Sequence, residues 1–118
     1  MNALSRSVYE ILFMLGVTAN YTGLPQAAYA IQLCVEQPER LLLISKWVYP
    51  DVAVHCHTSR NAVERNLRTV GCVIWKENKP LLEKIACRPL DHRPSTAQLL
   101  AILVNYVNWQ KESDKNVN

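Results

Sequence analysis

The sequence has no apolar run approaching the roughly 18 residues that a membrane-crossing helix requires, and Met1 to Glu10 lacks the charged and apolar blocks of a signal peptide. A cytoplasmic protein without a membrane partner is the expectation. Its cysteines, Cys34, Cys56, Cys72 and Cys87, stand apart, with no C-x-x-C pair and none of the spacings of a zinc module. They are expected as reduced thiols in or near a core. Alternating apolar and polar residues, internal repeats and low-complexity blocks are also missing, which argues against sheets and solenoids. No nucleophile is coupled to a base. Cys56 lies between His55 and His57, but neighbours in a helix or turn point in different directions, so no catalytic pair, metal site or cofactor is expected. Charge is modest too: 19% of residues are charged, the formal net charge is +3 and the pI is near 8.7. That balance permits an anionic partner without demanding one.

What is present is apolar material in helical register. Hydrophobic residues make up 49% of 118 residues, enough for one folded domain and too short for two. Residues 1–118 are therefore read as a single all-α domain with an ordered core over about 5–109 and a polar C-terminal tail that frays. Val8, Ile11, Leu12 and Leu15 mark a first helix from Ser5, closed by Gly16. Ala27, Ala30, Ile31 and Cys34 mark a second over Gly23 to Val35. Pro38 opens a third, Glu39 to Val48, whose Leu42, Ile44 and Trp47 suggest deep burial. Pro50 then starts a short fourth helix, Asp51 to His55. A fifth runs from Arg60 to Trp75, weakened toward its end by Gly71, where a bend is expected. Leu81 to Ala86 adds one or two helical turns. The sixth helix, Thr96 to Trp109, is capped by Ser95 and so densely apolar that the core or a second subunit must cover it.

The fourth and fifth helices, joined by a tight turn, have the layout of a helix-turn-helix. At about 100° per residue, Val63, Leu67, Val70 and Ile74 form one apolar stripe, while Asn61, Glu64, Arg65 and Arg68 gather opposite. Thr58 or Ser59 can cap the first turn. The residue types on the outer face suit base edges in a major groove: arginine for guanine, asparagine for adenine, glutamate for the cytosine amino group. The same pattern also fits a solvated amphipathic helix with Glu64 and Arg68 paired at i,i+4. Both readings stand on the residues alone.

A wider match favours the first. Ile11-Leu12 to Leu15-Gly16-Val17, Ala19, Gly23, Ala30-Ile31 and Ile44-Ser45-Lys46 fall in order with Tyr49-Pro50-Asp51-Val52-Ala53 and Thr58-Ser59. Val63-Glu64-Arg65 with Leu67-Arg68, Trp75, Asn78 and Pro94 to Ala101 complete the set. This text resembles the C-terminal DNA-binding effector domain of the sporulation-initiation response regulators, the stage 0 sporulation protein A family. The resemblance spans almost the whole chain. It implies a six-helix fold with helices four and five as the helix-turn-helix, and it places Glu64, Arg65 and Arg68 on base-reading positions for a site resembling TGTCGAA.

The function expected on this basis is sequence-specific, double-stranded DNA-binding transcription regulation, with recognition helix 60–75 in the major groove. Asn61, Glu64, Arg65 and Arg68 would read bases, while Lys46, His57, Thr58, Ser59, Arg60 and the Arg88 to Arg93 loop would hold phosphates. A homodimer on tandem sites, with the sixth helix as candidate contact, and a sigma subunit of RNA polymerase are the further partners. The chain departs from the family at Thr18, at Asn61 and Ala62, and at Leu24-Pro25-Gln26-Ala27, which replaces an aromatic-rich stretch. The match is weak between Asn78 and His92, which in relatives lies near the sigma-contacting surface. No receiver domain stands ahead of the matched region, so binding is expected without phosphorylation control. The rival reading is a receiver-less interaction module that modulates a full-length relative or RNA polymerase without reading DNA.

Overall fold

A computed structural model describes residues 2–116 and is helical throughout its regular elements. Helix α1 spans Ala3–Met14, α2 Gly23–Glu36, α3 Ile44–Trp47, α4 Tyr49–His55, α5 Arg60–Ala86 and α6 Thr96–Asn116, with a 3-10 segment at Pro38–Leu42 before α3. Helix α2 occupies the centre, packing against α1, α4, α5, α6 and the 3-10 segment. Small residues make that possible. Gly23, Ala27, Ala28 and Ala30 are all buried, and a Cβ built on Gly23 would lie 2.8 Å from the Asn66 carbonyl oxygen and 2.7 Å from Val70 Cγ2. Helix α5 thus meets α2 nearly backbone to backbone.

The all-α class and the helix-turn-helix stand, but the third helix does not form as one piece. Leu43, at φ −155° and ψ 79°, breaks it into the 3-10 segment and the single turn of α3, leaving five helices of about two turns or more among the described residues. The expected deep burial is absent too. Leu42 is 80% exposed and Trp47 40%, and Ile44 is half-buried; at about 100° per residue Leu42 would lie nearly opposite Ile44 and Trp47 even in an unbroken helix, so one buried face could not take all three.

The bend in α5 likewise falls elsewhere than Gly71. A Cβ at Gly71 would meet Leu99 at an ordinary 3.6 Å, and the helix runs straight past it to Asn78, which adopts φ −152° and ψ 56°. The cause is a capping joint. Asn78 Oδ1 accepts from the Leu81 amide at 3.3 Å, starting a second helical arm, while its Nδ2 donates to the Met14 carbonyl at the end of α1, 2.9 Å away. Pro80 sits within the first turn of the new arm, where its missing N–H is harmless.

Three helices end on the same closure. After α1, Gly16 takes φ +101° while Gly16 N–H donates to Phe13 and Val17 N–H to Leu12. His57 after α4 and Cys87 after α5 repeat it with positive φ of 55° and 61°. The paired bonds run from His57 to Val54 and Thr58 to Ala53, and from Cys87 to Lys84 and Arg88 to Glu83. At the start of α6, Ser95 Oγ accepts from the Gln98 amide and Gln98 Oε1 from the Ser95 amide, a reciprocal capping box.

Helix α6 needs no second subunit to cover it. Leu99, Leu100, Ile102, Leu103, Val104 and Val107 are all buried in the domain's own core, and among its large apolar side chains Trp109 stays outside at 52% exposure. The helix also continues past Trp109 to Asn116, so most of the expected polar tail is helical, and its last two residues lie outside those described. Cys34 is fully buried, and burial pushes its thiol up to about 11 against the opposing pull of Arg40.

Replacing Asn78 with alanine removes both bonds of the joint and should lower unfolding free energy by about 1–3 kcal/mol in chemical denaturation. Asn78→Asp keeps the acceptor for Leu81 but not the donor to Met14, and an intermediate loss is expected.

Candidate nucleic-acid interface

The helix-turn-helix forms from local rules. Pro50 lies in the first turn of α4, Val52 and Ala53 bury inward, and the left-handed His57 reverses the chain into α5. Of the two capping candidates Ser59 does the work, its Oγ accepting from the Ala62 amide at 3.1 Å. Thr58 instead donates its amide to Ala53 and closes α4. The start of α5 is therefore pinned from both sides.

From there the helix divides cleanly. Val63, Leu67, Val70 and Ile74 are each at most 2% exposed, and full burial of four such side chains stabilises the fold by about 1.5–3 kcal/mol apiece. Asn61, Glu64, Arg65 and Arg68 are all exposed on the other side. Glu64 and Arg68 form the i,i+4 ion pair, Oε1 to Nη2 at 3.0 Å, with both side chains more than half exposed. Arg65 has no ion-pair partner among the described residues. Thr69, one turn on, returns its hydroxyl to the Arg65 carbonyl at 3.1 Å.

The proposed phosphate residues distribute less evenly. His57, Thr58, Ser59 and Arg60 are exposed and contiguous around the turn. Lys46 is exposed on α3 and lines a separate cleft of about 430 Å³ with Leu42, Trp47, Arg40 and Asp51. There Arg40 bridges to Asp51 at 2.6 Å and also donates to the Trp47 carbonyl, tying the 3-10 segment to the first turn of α4.

The basic loop splits in two. Arg93 and Arg68 line one cleft of about 310 Å³ with Ser95, Thr96 and Gly71, whereas Arg88 lines a different depression with Ile85, Asn105 and Trp109. Arg93 Nη1 also donates to Cys72 Sγ at 2.6 Å. Thr96 joins this cleft without any signal in the sequence beyond its place after the capping serine. Burial pushes the Tyr49 hydroxyl up, with the Thr96 side chain pulling the other way.

His55 lies with its ring parallel to Tyr29 at 3.7 Å between centroids. Among the described residues no group of three His, Cys, Asp or Glu side chains could hold a metal ion, and no helix is long and apolar enough to cross a membrane.

The fold and this face define an all-helical domain with a helix-turn-helix whose second helix is polar outward and apolar inward. The family description "Sporulation initiation factor Spo0A C terminal" matches residues 8–107. The chain belongs to that family, whose members are DNA-binding effector domains of a sporulation regulator. A search of curated proteins gives no match.

Two substitutions separate the cap from the pair. Ser59→Ala should cost about 1 kcal/mol in thermal or chemical unfolding, whereas Glu64→Ala should cost no more than about 0.5 kcal/mol because the ion pair is solvated.

Proposed function

We propose that the domain is a sequence-specific double-stranded DNA-binding transcription regulator in which the first arm of α5 enters the major groove. The observation that carries this is the shared exposure of Asn61, Glu64, Arg65 and Arg68 along one side of a helix whose opposite side is locked into the core. Arg65 donates its guanidinium fork to a guanine edge, Asn61 pairs with adenine, and Glu64 accepts from a cytosine amino group or aims Arg68 through their ion pair. In the free protein Arg68 is occupied by Glu64, so its contact with guanine requires that pair to be shared or exchanged.

Lys46, His57, Thr58, Ser59 and Arg60 contact phosphates and set the register of the helix in the groove, carrying no sequence information themselves. The Ser59 oxygen accepts from Ala62, yet its hydroxyl proton can still be donated. Arg93 joins this group through its cleft with Arg68, and Arg88 does not.

A domain of this size covers little DNA, so two copies on tandem half-sites raise affinity. Burial of α6 leaves only Trp109 from that helix as a large apolar contribution to such a contact. A protein contact is also supported by exposed Leu42, Leu43 and Trp47. A sigma subunit of RNA polymerase is the partner that the family resemblance suggests, and there for the surface near Asn78 to His92 rather than for the Leu42, Leu43 and Trp47 patch. This surface is compatible with DNA reading and does not replace it.

Gel shift on a duplex carrying the TGTCGAA-like site, run at several salt concentrations, tests the assignment. Arg65→Ala should weaken binding by about 1–3 kcal/mol and relax preference at one base. Arg93→Ala should weaken all duplexes alike and reduce the salt slope by about 1. Equal loss on every sequence from Arg65→Ala would remove its base-reading role.

A further inference from the structure

Gln26 is the buried polar side chain in the face that α2 turns toward α5, 3% exposed, and its Oε1 accepts from Asn66 Nδ2 at 3.1 Å. Among the described residues no other side-chain hydrogen bond joins α2 to α5. Gly23 meets the α5 backbone at Asn66, and the small side chains of Ala27 and Ala30 are buried on the same side of α2. Apolar burial depends on area and changes little as one smooth helix rolls against another. A hydrogen bond weakens steeply once its length or angle is lost. The amide pair is thus the directional contact between α2 and α5 that resists rotation of the first arm of α5 about its axis. Asn66 stands next to Arg65 and two residues before Arg68.

We infer that Gln26 is a positioning residue for DNA reading: through Asn66 it fixes the roll angle at which α5 presents Glu64, Arg65 and Arg68. The inference rests on the DNA-reading function proposed above. With side chains extending about 5–6 Å from a helix axis, a roll of about 10–20° moves their tips by about 1–2 Å. That exceeds the roughly 0.5 Å within which a binding constellation must be held. Gln26 itself lies too deep to touch DNA.

The test compares affinity for the TGTCGAA-like duplex with affinity for a scrambled duplex, using the full chain well below its melting temperature. Wild type must first prefer its site; absence of any preference would overturn the functional reading and this inference with it. Given that preference, Gln26→Met should lower the ratio of the two affinities about tenfold while leaving binding to scrambled DNA unchanged. Gln26→Glu, which keeps the acceptor for Asn66, should retain the ratio to within about twofold. The double variant Q26M/N66L replaces both partners with apolar groups and should recover the urea midpoint; the inference expects the ratio to stay low. Recovery of the ratio together with stability, or a wild-type ratio in Gln26→Met, would reduce Gln26 to packing and overturn the inference alone. If Gln26→Met does not fold, Asn66→Ala provides the same comparison from the more exposed side of the pair.

Discussion

The packing of α5 against α2 at backbone distance is the constraint on which the other features depend. Gly23 leaves no room for a side chain between the two helices, so the apolar stripe of α5 sinks fully into the core and the opposite side is forced outward. A larger residue at Gly23 would lift α5 and loosen that division. Because α2 also touches α1, α4 and α6, the outer face of α5 is held by the whole domain. Its direction is set at its start by the left-handed His57 and the Ser59 cap, and farther along by the joint at Asn78.

That arrangement gives an amphipathic helix the rigidity that the proposed base reading requires. An arginine presented from a helix free to roll or slide gives charge without specificity, since phosphates accept it in many geometries. Base edges require a fixed fork. The rigid elements therefore bear on function directly: the cap, the reversed turn and the helix contacts remove freedom that would otherwise have to be lost on binding. The Glu64–Arg68 pair is compatible with the bland reading of this face and with the proposed functional one, because a weak solvated pair holds Arg68 in place and can be exchanged at little cost.

Much of this was legible in the residues, and the exceptions share a cause. The stripe of α5 could be read because four apolar positions recur at helical spacing with polar residues opposite. Gly16 and Ser95 could be read because each has a narrow local use at a helix end. The breaks at Leu43 and Asn78 could not, since each goes with contacts between elements that only the folded chain brings together. Arg40 reaches Asp51 and the Trp47 carbonyl around the first, and the Met14 carbonyl meets Asn78 at the second. The density of α6 left the core and a second subunit both open as its cover, because composition gives the amount of apolar surface but not what covers it. On the proposed interface, the outward placement of Asn61, Glu64, Arg65 and Arg68 was legible from periodicity, whereas the cleft joining Arg68 to Arg93 and Thr96 exists only once α6 folds back. Gln26 carried one faint mark, a polar residue four positions before Ala30 on the buried side of α2.

The central claim is that the outer side of the first arm of α5 is where this domain meets DNA. Titrating isotope-labelled protein with a short TGTCGAA-like duplex and following backbone and arginine side-chain resonances tests it most directly. The account predicts that the largest shifts cluster at residues 57–68 and at Arg93 to Thr96, with the Arg65 guanidinium resonance moving strongly. Shifts confined to Leu42, Leu43 and Trp47, with 57–68 unmoved at saturating DNA, would contradict it.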